Sequence, residues 1–208
     1  MSDKTIVAYI VRHGSTTLNQ SGCFRGNLNP PLAPEGIRDA EIIANLFSTI
    51  DISHIFSSDK VRATETAGII AREKQIPIHK SESLRALNVG DFSGQKRTPE
   101  SEADLQVYLD DPDTQIPGGE SLNEFKTRIQ PCFFEAVDVF MECGVPPLIV
   151  AHSSVIHELG STLYQDHKSI LVDPGGAVAM YLSNGKLGAE PIFKPARVQP
   201  GNRADTVS

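Results

Sequence analysis

Four side chains in this 208-residue sequence are of types that could handle a phosphoryl group. Arg12 and His13 stand in Arg12-His13-Gly14, Arg62 closes Ser57-Ser58-Asp59-Lys60-Val61-Arg62, and His152 opens His152-Ser153-Ser154. A guanidinium is always charged and offers a planar fork of donors that matches phosphoryl oxygens. A neutral imidazole nitrogen can attack phosphorus, splitting one hard displacement into two easier ones through a phosphohistidine. His13 is the expected nucleophile. Arg12, Arg62 and a donor from His152 would act by fixed electrostatic stabilisation of charge spread over three equatorial oxygens. This chemistry demands no metal and no cofactor. A metal site is the rival use of His13 and His152, and two neighbouring arginines raise the cost of binding a divalent cation there.

These residues are useful only if they meet, and the surrounding patterns supply a way. Thr5 to Val11 is apolar and β-branched at nearly every position, as in a strand covered on both faces, and it ends at Arg12. After a loop containing Pro30, Pro31 and Pro34, Glu35 to Phe47 places Ile37, Ala40, Ala44 and Phe47 on one helical face. A short strand, His54 to Phe56, stops at Ser57-Ser58-Asp59, whose side chains could cap the next helix, with Arg62 in its first turn and Ala63, Ala67 and Ile70 inward. Ile76 to Lys80 is a weak strand, better suited to an edge because of Pro77.

Residues 95–120 form an expected insertion, a lid over the site. Thr98-Pro99 can open a short helix there, and Gln95 to Ile116 carries six acidic and two basic residues. Ser121 to Glu124 fits a capping box for a helix with Leu122, Phe125, Ile129, Cys132, Ala136 and Phe140 as its buried stripe, closed by Gly144 and Pro146. Leu148 to Ala151 is a second buried strand, ending at His152 before a helix towards Tyr164. Ala177 to Leu182, a Ser183-Asn184-Gly185 turn and a strand around Ile192-Phe193 make a closing hairpin. Alternating strands and helices imply an α/β domain with a mostly parallel sheet, and ligands bind such sheets beyond the carboxyl ends of the strands. Arg12, His13, Arg62 and His152 all fall there.

Composition bounds the reading. Hydrophobic residues at 39% and charged residues at 22% fit one globular domain, expected over residues 1–197 with a mobile polar tail at 198–208. The apolar run Ile6 to Val11 is far short of the roughly 20 residues of a membrane helix, so a soluble cytoplasmic protein without a signal peptide is expected. Three cysteines without C-x-x-C spacing suggest neither a disulfide framework nor structural zinc. With 26 acidic against 19 basic side chains, the chain repels nucleic acid and anionic membranes on average. The expected partner is a small phosphorylated substrate, held by a local cationic cluster. A homodimer is compatible with the sequence, which leaves the oligomeric state open.

Arg12-His13-Gly14, Asn19, Pro31-Leu32 with Gly36, Ser57-Ser58 with Arg62-Ala63 and Thr66-Ala67, and His152 together resemble the histidine phosphatase superfamily, phosphoglycerate mutase-like, over residues 6 to about 185. The resemblance implies a three-layer α/β/α sandwich. It also implies phosphorylation of His13, with Arg12, Arg62 and His152 holding the phosphoryl oxygens and Asn19 contacting the same group.

The sequence departs from that pattern where many relatives carry a Glu that protonates the leaving alcohol, in a segment like L-R-E-x-x-x-G. Here Leu84-Arg85-Ala86 places an alanine there. Either another carboxyl reaches the leaving oxygen or the leaving group needs little help. Glu120, in Pro117-Gly118-Gly119-Glu120, is the expected replacement, against the alternative that it only complements a helix dipole. Ser153 stands where glycine is common and could bond substrate or cap its helix. Arg25 is the best further cation for substrate. The leading expectation is a metal-independent phosphatase acting on a small phosphomonoester. A phosphoglycerate-type mutase, a phosphohistidine phosphatase and a catalytically weak phospho-ligand binding protein are the alternatives.

Overall fold

The structure, a computed structural model, describes residues 4–163 and 172–195. The predicted tail at 198–208, the domain boundary at 197 and Tyr164 lie outside the described residues. Strand β1 (Thr5–Arg12) is followed by a single helical turn, α1 (Thr17–Gln20), and helix α2 (Pro34–Phe47). Strand β2 (Ile55–Ser58), helix α3 (Val61–Lys74) and strand β3 (Ile78–Ser81) come next. Two helices, α4 (Pro99–Asp110) and α5 (Leu122–Cys143), precede strand β4 (Leu148–Ala151) and helix α6 (Ser153–Leu163). The hairpin β5 (Ala177–Ser183) and β6 (Lys186–Phe193) ends the described chain.

The six strands form one sheet in the order β3-β2-β4-β1-β5-β6. The first four run parallel, and β5 and β6 add antiparallel at one edge. Alternation along the strands sends side chains to two separate cores. Tyr9, Val11, Leu148 and Val150 pack with Ile43, Phe47, Ala63, Ala67 and Ile70 of α2 and α3. Ile10, Ile149 and Ala151 pack with Phe125, Ile129 and Phe133 of α5 and Val155 and Leu159 of α6 on the opposite face. The result is the three-layer α/β/α arrangement with a mostly parallel sheet. Each fully buried Val, Leu, Ile or Phe in these layers contributes about 1.5–3 kcal/mol relative to exposure. No described helix is long and apolar enough to cross a membrane.

Local chemistry sets the element ends. Ser121 Oγ accepts from Glu124 N at 3.1 Å while Glu124 Oε2 accepts from Ser121 N at 2.9 Å, the reciprocal cap expected for α5. The β5–β6 turn places Asn184 and Gly185 at φ 52° and 73°, the left-handed pair that matches hairpin twist. Two expectations are corrected. Helix α2 buries Gly36, Ala40, Ile43 and Phe47, and Ile37 is 44% exposed. The cause is backbone packing, since a Cβ on Gly36 would lie 2.0 Å from Ser15 O, so the helix turns its bare position inward. Ser57 and Ser58 belong to β2 and do not cap α3, whose N-cap is Lys60 without a side-chain bond. Asp59 instead pairs with Arg85.

Candidate active site

Three adjacent strands, β2, β4 and β1, end side by side, and the residues just past them share one edge of the sheet. His13 N donates to Ala151 O at 3.0 Å, extending the β1–β4 ladder by one residue so that His13 and His152 emerge together. Their ring centroids are 5.1 Å apart at 62°. Arg62 arrives from the first turn of α3 and is fully buried. Thr66 Oγ1 fixes its register by accepting from Gly14 N at 3.1 Å and donating to Arg62 O at 2.8 Å, which ties the loop after β1 to that turn.

The hydrogen bonds select one tautomer of His13. Nδ1 lies 2.7 Å from Gly14 O, and a carbonyl only accepts, so Nδ1 carries the proton and Nε2 the lone pair. Arg62 Nε donates to that Nε2 at 3.2 Å, and its Nη1 donates to Leu28 O at 2.7 Å. Its Nη2 is buried without a hydrogen-bond partner. His152 Nε2 is 2.9 Å from Ser58 Oγ, and His152 Nδ1 is buried without a partner. Arg12 is anchored by Nη1 donating to Val172 O at 2.5 Å.

Burial pushes both imidazoles well below 6.5, and the charge of Arg62 pushes in the same direction, with smaller contributions from Arg25 and Arg12. Both rings are therefore neutral at neutral pH. Burial, with the charge of Arg25, brings Arg62 down to about 10. Burial and Arg97 bring Arg25 to about the same value, so both guanidiniums remain charged. Positive charge thus lies beside a neutral ring nitrogen whose electron pair accepts from Arg62 Nε. That combination attracts an anion and leaves the nucleophile unprotonated.

The remaining predicted residues separate. Arg25 is half-buried, and its charge lowers the pKa values of His13, His152 and Arg62. Its loop is tied to residues 95–97, with Phe24 N donating to Gln95 O at 2.9 Å and Arg97 N to Gly22 O at 2.9 Å. Asn19 Oδ1 accepts from Thr16 N at 3.0 Å and Thr16 Oγ1 at 2.8 Å, as the N3 partner in the reciprocal cap of α1. Ser153 is the half-buried first residue of α6, directly after His152. Glu120, the expected proton donor, is engaged at both carboxylate oxygens. Its Oε1 accepts from Asn88 N at 2.8 Å and Arg128 Nη2 at 2.7 Å, and its Oε2 accepts from Arg128 Nε at 3.1 Å.

Sequence reasoning missed Ser58 as the partner of His152, Ser154 as the acceptor for Leu87 N at 3.1 Å, and Arg128. Besides Glu120, Arg128 donates to the carbonyls of Ser83, Arg85 and Ala86. The Ser57-Ser58 pair was a visible signal. Arg128, a helix residue 66 positions from Arg62, carried none.

Comparison with known proteins places this geometry in a family context. Residues 8–171 match the sequence model of the histidine phosphatase superfamily (branch 1). Among curated relatives, a protein of Yersinia pestis (strain Pestoides F) named "Probable phosphoglycerate mutase GpmB" is 33% identical over 159 residues, covering 74% of this chain and 73% of its own. Among solved structures, Bacillus stearothermophilus YhfR superimposes with a TM-score of 0.76 at 24% identity, covering 91% of this chain and 97% of its own. A mycobacterial glucosyl-3-phosphoglycerate phosphatase gives 0.74 at 22%, covering 88% and 96%. A phosphoglycerate mutase from Bacillus anthracis str. Sterne gives 0.74 at 24%, covering 91% and 94%. At these identities the structural matches share the fold.

Proposed function

Because the chain belongs to the histidine phosphatase superfamily, branch 1, we propose that it is a phosphatase that hydrolyses a small phosphomonoester through a phosphohistidine on His13. The observation that carries this reading is the pairing of a lone-pair-bearing His13 Nε2 with the fully buried Arg62, whose Nη2 has no hydrogen-bond partner. A buried charged donor left unpaired is costly, and an anion placed beside Nε2 would satisfy it.

In the first step the Nε2 electron pair attacks phosphorus, an N–P bond forms and the ester P–O bond breaks, its pair leaving with the alcohol oxygen. Nδ1 keeps its proton, and the Gly14 carbonyl stabilises the positive charge that develops on the ring. Arg62, Arg12, Arg25 and His152 hold the phosphoryl oxygens. These dipoles and charges are already fixed, so little reorganisation accompanies the reaction. In the second step water attacks phosphorus, the N–P electrons return to Nε2, and the water proton leaves to solvent or phosphate.

The names of the relatives favour mutase activity as a second reading. Mutase and phosphatase share the first step and differ in whether the phosphoryl group passes to a second substrate or to water. The test supplies labelled phosphomonoesters to wild type and to His13→Ala. Acid-labile label on wild type, released as inorganic phosphate and absent in the variant, is the expected result. Label that reappears mainly on a second organic acceptor establishes the mutase. Equal turnover by His13→Ala refutes both.

A further inference from the structure

The Gly14 carbonyl that holds the His13 Nδ1 proton is followed by a residue that is itself tied down. Ser15 donates twice to one oxygen of Asp39, its N at 3.2 Å and its Oγ at 2.9 Å from Oδ2. Asp39 stands inside α2, where aspartate is a poor helix former, so helix propensity does not explain its presence there. The Ser15 carbonyl is fixed as well, accepting at 2.9 Å from the N of Ala33, the N-cap of the same helix.

Asp39 also meets the second segment that holds the nucleophile. Gly175 N donates to the carbonyls of Arg12 and His13 at 3.0 and 3.1 Å. A Cβ on Gly175 would lie 2.6 Å from Asp39 Cβ, so this glycine, at φ 75°, packs bare against the base of the aspartate. One half-buried side chain thus touches both Ser15, just after Gly14, and Gly175, which is bonded to the backbone of His13.

We infer that Asp39 is a positioning residue for the nucleophile. Through Ser15 it seats the Gly14 carbonyl, which keeps the proton on His13 Nδ1 and leaves the Nε2 electron pair for phosphorus. The inference rests on the phosphatase reading above and deepens it. Asp39 acts on the ring through the backbone of Ser15 and Gly14. Both Ser15 bonds end on one oxygen, so the amide oxygen of an asparagine can accept them and the methyl of an alanine cannot.

The test compares Asp39→Ala, Asp39→Asn and Ser15→Ala with wild type in two readouts. One is hydrolysis of para-nitrophenyl phosphate, and the other is nuclear magnetic resonance of the His13 ring nitrogens and the Nδ1 proton. Wild type is expected to show the proton on Nδ1. Asp39→Ala is expected to lower kcat about 10–10²-fold with KM within about threefold, as for a nucleophile out of register. The Nδ1 proton should then exchange with solvent about tenfold faster or more, because its acceptor has moved. Asp39→Asn is expected to stay within about threefold of wild type in both readouts. Ser15→Ala removes one of the two bonds and is expected to fall between them, and it carries the same comparison should Asp39→Ala not fold. Ile43→Val, which thins the core under the same helix, is the control for destabilisation and is expected to lower Tm while leaving kcat and the ring signals as in wild type.

Wild-type kcat with unmoved ring signals in Asp39→Ala and Ser15→Ala overturns the inference. So does a loss in Asp39→Asn equal to that in Asp39→Ala, or an equal loss in Ile43→Val. If wild type releases phosphate from no monoester, the phosphatase reading fails, and the ring signals of the same variants still decide whether Asp39 places the His13 proton.

Discussion

Acidification should destabilise this protein through the two histidines of its site, and the size of the effect follows from their burial. In the unfolded chain an imidazole takes up its proton around pH 6.5, whereas His13 and His152 in the folded protein resist protonation until well below that value, chiefly because they are buried and also because Arg62 lies beside them. Near neutral pH both states carry neutral rings and the pair contributes nothing to the pH dependence. Below pH 6.5 the unfolded state binds more protons than the folded state, so stability falls as pH falls, until the folded rings themselves accept protons. Each ring contributes about 1.4 kcal/mol per pH unit in that window, and two rings approach about 3 kcal/mol. Urea unfolding from about pH 7 to about pH 5, performed on wild type and on His13→Gln/His152→Gln, isolates this contribution. Wild type should lose stability more steeply than the double variant by nearly the full two-ring slope. Parallel curves would refute the picture of two buried neutral imidazoles. Saturating inorganic phosphate should shrink the difference, because a bound anion favours the protonated rings.

Two further outcomes test the scaffold around the rings. Arg62→Lys keeps the charge and loses the fork that reaches His13 Nε2 and Leu28 O together, so kcat should fall about 10²–10³-fold with the fold retained by circular dichroism; a loss below about tenfold would show that charge alone suffices. Gly14→Ala would place a Cβ 2.2 Å from Gly36 O, backbone against backbone. The required shift of about 1 Å next to His13 should cost about 1–3 kcal/mol in stability and about 10²-fold in turnover, and an unchanged Tm with wild-type kinetics would refute it.

Much of the site was legible because strand ends and chemistry coincide in the sequence. The β-branched runs Thr5 to Val11 and Leu148 to Ala151 stop abruptly at Arg12-His13 and at His152, and an apolar strand can only end so at the rim of a sheet. Arg62 was legible for the same reason, one turn into a helix that follows a strand. Helix α2 was found at nearly its full length, yet its inward face was placed one residue off. Hydrophobicity points to Ile37, whereas the helix is seated by the bare backbone of Gly36 against Ser15, a contact no hydropathy pattern contains.

Side-chain identity and local periodicity thus determined the α/β class and the strand-end location of Arg12, His13 and His152, since these depend on spacings within about 20 residues. The tertiary structure decided what depends on neighbours distant in the chain. It set the His13 tautomer through Gly14 O, left Arg62 Nη2 without a partner, joined Ser58 to His152, and committed Glu120 to Arg128. Whether a carboxyl is a free acid or a bound counter-ion is a property of the groups within about 4 Å of it, and chain order does not encode that shell.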